Sequence, residues 1–171
     1  CVMTLATQIG REGNLFLDQA GNVDHVMLNS PVLSQRKLHQ LLALPRFESR
    51  HRYVDLYFGH DTPLREALVR ICAEAEAAVR EGVELLILSD RRPRHGHAAV
   101  HALLATGAVH LHLVRQGLRC DANLIVETGT ARDPHHFACL IGFGATAVYP
   151  FLAYQTLAAL ARRGLLGGKT S

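Results

Sequence analysis

The residues best able to do chemistry stand just after apolar runs. Ser89-Asp90 follow Val83 to Leu88, Glu127-Thr128-Gly129 follow Asn123 to Val126, and Tyr149 follows Ala145 to Val148. Gly59-His60-Asp61 follow Tyr53 to Phe58 in the same way. Runs of this kind read as buried strands, and in parallel sheets function gathers at the strands' C-terminal ends. Asp90 and Glu127 could pair there for acid–base work or hold a magnesium ion. The default reading is structural: acidic residues at loop starts bind loop N–H groups or cap the next helix.

Eleven histidines are a high count. A helix is expected over roughly His97 to Gln116, and on it His97, His101 and His112 would share a face. A zinc pair at His97 and His101 is geometrically possible there. However, HAAVH lacks the glutamate of an HExxH site, and no spacing supplies a third ligand. His135-His136 open another expected helix beside Arg132. A helix N-terminus favours anions and lowers histidine pKa, so these three could touch a phosphate or carboxylate. The alternative is that one histidine packs inward and the other faces solvent or a neighbouring domain. Cysteines stand at 1, 72, 120 and 139, with no CxxC pair and no iron–sulfur spacing. Cys72 and Cys139 fall in apolar helical patterns and are expected as buried thiols, in keeping with a cytoplasmic location. Cys1 has no sequence context of an N-terminal nucleophile. Gly142-Phe143-Gly144 closes a helix and enters a strand, the reverse of a dinucleotide fingerprint.

The elements that would position these residues can be read in order. Cys1 to Ile9 has the pattern of a helix end, broken by Gly10, Gly13 and Asn14, with loop character continuing through Asn22 and Asn29. Val26 to Leu28 is a short extended piece. Ser34 is an N-cap for a helix over Gln35 to Leu42. Tyr53 to Phe58 reads as a strand, and Thr62-Pro63 as an N-cap with proline in the first helical position. Leu64, Leu68, Ile71, Cys72, Ala75 and Val79 mark an amphipathic helix ending at Gly82. Asp133-Pro134 starts a helix that ends at a left-handed Gly142 or Gly144. A last helix follows from Leu152 to about Arg163, before a tail with Gly164, Gly167 and Gly168.

The sum is an α/β chain of about four βα units around a parallel sheet, either half of a (β/α)8 barrel or a small open sheet. We expect one domain over 1–171, with 1–50 an irregular N-terminal segment, 51–164 the βα units and 165–171 a tail. The length allows a real core, and 49% hydrophobic with 19% charged residues is a globular composition. A net charge of +3 gives no case for nucleic acid as a partner. No apolar run approaches the roughly 18 residues of a membrane span, and the start lacks a basic leader and a cleavage site. It also does not begin with Met, which suggests a piece of a longer polypeptide.

Several stretches, in order, carry a family resemblance. They are GREGNLF at 10–16, NSPVLS at 29–34, LREALVRICAEAEAAVREGVELLILSDR at 64–91, LLATGAVHLHLVRQGLR at 103–119, and the block 124–157 with VETG, ARDPHHFA, GFGATAVYP and FLAYQTL. Together they resemble the later part of the central domain of the glutamate synthase large subunit. The chain departs from that pattern at His101 to Ala105, in a shorter loop after SDR, and in LHL where the family often has three histidines. The resemblance implies a non-catalytic domain connecting the glutaminase and FMN-binding domains and helping to enclose the ammonia path. It implies no cofactor in this segment, with FMN and an iron–sulfur cluster elsewhere in the parent enzyme. The electron donor would be a further subunit or ferredoxin. The opening part of the domain would be absent, leaving one sheet edge exposed. Asp90, Arg92, Glu127, Arg132, His135 and Tyr149 would then be interdomain contacts, and the segment alone would be inactive. Two rival readings remain: a free-standing half-barrel enzyme with a metal or phosphate site at the strand ends, and a zinc-binding module.

Overall fold

The structure is a computed structural model that describes residues 4–12 and 25–166. Cys1, Gly13, Asn14, Asn22, Gly167 and Gly168, singled out above, lie outside the described residues. In chain order the elements are β1 (Thr7–Ile9), β2 (Val26–Leu28), α1 (Gln35–Leu42), β3 (His51–Asp55), β4 (Tyr57–Gly59), α2 (Leu64–Arg80) and β5 (Leu85–Ser89). They continue with β6 (His97–Ala99), α3 (Ala102–Arg115), β7 (Asn123–Glu127), α4 (Pro134–Gly142), β8 (Ala147–Tyr149) and α5 (Phe151–Arg162).

The α/β expectation holds. β3, β5, β7 and β8 form one parallel sheet in that order. β5 and β7 lie at its centre, and Leu85 to Leu88 and Leu124 to Val126 are fully buried. That is why both runs are continuously apolar. Each such side chain withdrawn from water contributes about 2 kcal/mol. One face carries Val54, Leu86, Leu88 and Leu124 against Ile71 and Ala75 of α2 and Val109 and Leu113 of α3. Val126 and Val148 pack there against Leu140 of α4. The other face carries Leu85, Ile87, Ile125 and Ala147 against Leu38 and Leu41 of α1, with Ile9, Leu33 and Phe47.

Sequential strand order with crossover helices on one face is the winding of a barrel. Here, though, the opposite face is filled by α1 and its neighbours, and the sheet stays open. Pro31 to Leu33 close the far edge of β8, through the Val148 N–H to Pro31 O and the Leu33 N–H to Val148 O, both 2.8 Å. No described residue pairs as a strand with the far edge of β3. The Arg70 guanidinium instead donates to the carbonyls of Asp55 (2.9 Å) and Tyr57 (3.1 Å) beside it.

Local signals worked where the chain caps itself. Ser34 Oγ accepts from the Lys37 N–H, and Asp133 Oδ1 from the His136 N–H, with Pro134 in the first turn. α4 ends with Gly144 at φ +109°, its N–H on Ile141 O, and the Ala145 N–H on Leu140 O. That pair of bonds is the Schellman arrangement.

Four expectations are corrected. Thr7 to Ile9 is not a helix end but pairs antiparallel with β2. The single strand over Tyr53 to Phe58 is two, because buried Leu56 turns its N–H to Ser89 O and the chain then leaves the sheet. Pro63 is itself the N-cap of α2, at φ −60° and ψ 140°, with no side-chain cap bond. The helix expected from His97 begins only at Ala102, because His97 to Ala99 pair antiparallel with β4 as a ribbon. Backbone pairing there overrides the helix propensity of two alanines.

Candidate functional site

Register places the candidate site. Pairing aligns Asp55, Ser89, Glu127 and Tyr149 across the last rung of the sheet. One rung below, on the same face, run Tyr53, Ile87, Ile125 and Ala147. The apolar lower rungs are covered by α1. The last rung is polar and meets a loop of three arginines.

Glu127 is 3% exposed. Its carboxylate accepts from Ser89 Oγ (2.6 Å) and Arg91 Nη1 (3.0 Å). Arg91 in turn lies over the rings of Tyr149 (5.7 Å) and Phe151 (5.6 Å), a stacking that suits a planar guanidinium. The bond to Glu127 pushes the Arg91 pKa up further, against the opposing effect of burial. Burial raises the Tyr149 hydroxyl as well, the nearby Arg91 opposing it.

Asp90 follows Ser89, so its side chain leaves on the opposite face. It is 8% exposed and accepts from Thr128 Oγ1 and, at 2.9 Å, from the Gly129 N–H. Burial pushes its carboxyl up, and those two hydrogen bonds hold the ionised form against that. Asp90 and Glu127 therefore do not form a carboxylate pair: each has its own donors, and Asp90 performs the loop-binding role of the default reading. The remaining strand-end acid, Asp55, accepts from the Tyr57 N–H (3.0 Å) and Arg94 Nη2 (2.6 Å).

Tyr53, Asp55, Ser89, Arg91, Arg92, Arg94, Glu127 and His39 surround a cavity of about 530 Å³. Arg92 is exposed and has no ion-pair partner among the described residues. Arg132 and His135 are not among the residues around the cavity: Arg132 is exposed just before the Asp133 cap of α4, and His135 is exposed in that helix's first turn. His135 Nε2 lies 3.6 Å from Cys139 Sγ, and His136 Nδ1 accepts from the Arg132 N–H at 3.2 Å. The Asp133 carboxyl is held low chiefly by the His136 N–H it caps.

With this geometry in hand, the relatives are informative. The whole chain, residues 1–171, matches the family model described as glutamate synthase central domain. The chain belongs to that family. It is 42% identical over 159 residues to ferredoxin-dependent glutamate synthase 2, chloroplastic, of Arabidopsis thaliana, covering 91% of this chain and 10% of that protein. It is 40% identical over 155 residues to the glutamate synthase (NADPH) large chain of Bacillus subtilis strain 168, with the same coverage. To the glutamate synthase (NADPH) large chain of Azospirillum brasilense it is 40% identical over 169 residues, covering 97% of this chain and 11% of the relative. The chain thus spans about a tenth of these relatives' length. Among solved structures, a flavocytochrome b2 mutant with benzoylformate is similar at TM-score 0.44 and 19% identity, over 55% of this chain and 24% of that one. That likeness is too partial to bear on fold or function.

In this central domain the sequence-predicted site residues fall into four places. Glu127 and Tyr149 share one rung, Asp90 secures the loop on the other face, and Arg92 overlooks the cavity, while Arg132 and His135 are separate. Tyr53, Asp55 and Ser89 were missed as partners, since only the register puts them on the face of Glu127, and Phe151 was missed because only the fold brings its ring under Arg91. The histidine stripe does not form. His97 is in a strand, His101 caps α3, and His112 Nε2 lies 2.6 Å from Glu76. Among the described residues no three His, Cys, Asp or Glu side chains are placed to hold one metal ion. Cys72 and Cys139 are half-buried rather than buried, and Cys120 is exposed. No described helix is long and apolar enough to cross a membrane.

Proposed function

We propose that this central domain is a non-catalytic connector in a glutamate synthase large chain. It would link a glutaminase domain to an FMN-binding domain and line the path that ammonia takes between them. The observation that carries this reading is that every carboxylate on the last rung, and Asp90 beside it, is already engaged by internal donors. A general acid or base needs an open approach to a substrate proton, and these groups instead brace loops. The parent reaction would convert glutamine, 2-oxoglutarate and reducing equivalents into two glutamates, with FMN and an iron–sulfur cluster bound outside this segment. The electron donor would be a partner subunit or ferredoxin, and the names of the relatives include both NADPH and ferredoxin types. A cytoplasmic location belongs to the same proposal, although plant relatives are named chloroplastic.

Within it, Arg92, Arg132 and His135 are the exposed contacts to neighbouring domains, and Asp90, Glu127 and Tyr149 hold the loops that present them. The test uses the whole parent enzyme. Replacing Arg132 and His135 together by alanine should leave glutaminase turnover intact and raise the ratio of ammonia released to glutamate formed several-fold. Unchanged coupling would remove these residues from the interface.

A further inference from the structure

We propose that the cavity between the C-terminal end of β3 and the loop 91–94 binds a small oxyanion, a phosphate or carboxylate group, through the Arg92 guanidinium and the Tyr53 hydroxyl. The site lies on the face assigned above to docking, and its test is independent of that assignment.

Charge decides the class of ligand. The cavity wall carries three arginines, Arg91, Arg92 and Arg94, and two carboxylates, Asp55 and Glu127, leaving +1. The carboxylates are each taken by one arginine: Glu127 by Arg91 at 3.0 Å and Asp55 by Arg94 at 2.6 Å. Arg92 is the cation left over, with no acidic partner among the described residues. Tyr53 is 44% exposed, and its hydroxyl donates to no acceptor among the described residues. It senses the Glu127 carboxylate first and then the Arg91 and Arg92 charges that offset it. A cation and a neutral donor thus face one space whose acids are already neutralised. That arrangement repels cations and rewards an anion with two accepting oxygens. Its volume, about 530 Å³, accommodates a small molecule bearing such a group. The position, beyond the carboxyl ends of parallel strands, is where open α/β sheets take ligands.

Two sources could supply the oxyanion: a soluble molecule, or an acidic side chain of a neighbouring domain. The 171-residue chain, whose buried clusters are built from its own residues, is titrated with inorganic phosphate and with acetate. Ionic strength is held constant with chloride, and the readouts are thermal shift and the arginine Nε–H resonances. We expect a saturable rise in Tm and a shift of the Arg92 resonance with at least one of the two. Arg92→Ala should weaken the apparent affinity about tenfold or more, Arg92→Lys less, and Tyr53→Phe about threefold. Arg162→Ala, an exposed arginine outside the cavity, should change nothing. If the full-length parent also responds, the ligand is soluble. If only the 171-residue chain responds, a neighbour's carboxylate occupies the site in the parent. No saturable response, or equal loss in Arg162→Ala and Arg92→Ala, overturns the proposal while leaving the docking assignment to its own coupling test.

Discussion

The two ends of the sheet each bury a glutamate, and they use it differently. At the N-terminal end, Glu84 is 5% exposed and held by two arginines. Arg46 reaches Oε2 through two nitrogens at 3.0 and 2.9 Å, and Arg50 reaches Oε1 at 2.7 Å. Arg119 works beside it, donating to Ala122 O and Gly144 O just ahead of β7 and β8 (both 2.8 Å), and to His110 Nδ1 at 3.0 Å. Donors and acceptors there are matched, and the strands are pinned. At the C-terminal end, one arginine and one serine satisfy Glu127, and Arg92 and the Tyr53 hydroxyl stay uncommitted. An end whose polar groups are all satisfied holds the fold; an end with donors left over can hold something else.

Glu84→Ala should produce the largest change. It removes the buried carboxylate that both Arg46 and Arg50 hold, and breaking such a pair costs about 3–5 kcal/mol, which urea denaturation would read directly. Arg91→Ala should cost less, about 2 kcal/mol, because Ser89 still donates to Glu127. Equal losses in the two variants would dissolve the contrast and make both ends scaffold.

The smallest effect is in pH. His110 must present an unprotonated Nδ1 to Arg119, and burial, then the Arg119 charge, lowers its pKa from the ordinary 6.5. Between the folded pKa and 6.5 the unfolded chain binds the extra proton, so stability rises with pH in that window. The contribution is whole above 6.5 and is lost as pH falls through the folded pKa. Subtracting the stability–pH curve of His110→Gln from that of the natural chain should isolate this slope. A flat difference would mean that the N-terminal end does not depend on a neutral His110.

What could be read in advance followed from local rules. The Asp133-Pro134 start of α4 and the Gly144 end of it need only the chain's own backbone. At Gly144 a Cβ would come within 2.3 Å of His110 Nδ1, so φ and contact both demand glycine. The continuous runs Leu85 to Leu88 and Leu124 to Val126 announced central parallel strands because both faces are covered. β6 was not legible: His97 to Ala99 carry no β-branched residue, and their strand state comes from Tyr57 to Gly59, some forty residues earlier.

Composition, capping residues and apolar periodicity were therefore enough to specify an α/β chain and its parallel core strands, while the ordered motifs carried the family resemblance. Each of these depends on neighbours within a few residues. Register, by contrast, is a relation between distant strands. Only the tertiary structure set Tyr53, Ser89, Arg91 and Glu127 against one another, turned Asp90 to the other face, and left Arg92 without an acid. A strand's side chains alternate strictly, so which residues meet across a sheet depends on how the strands align, and packing on both faces decides that alignment.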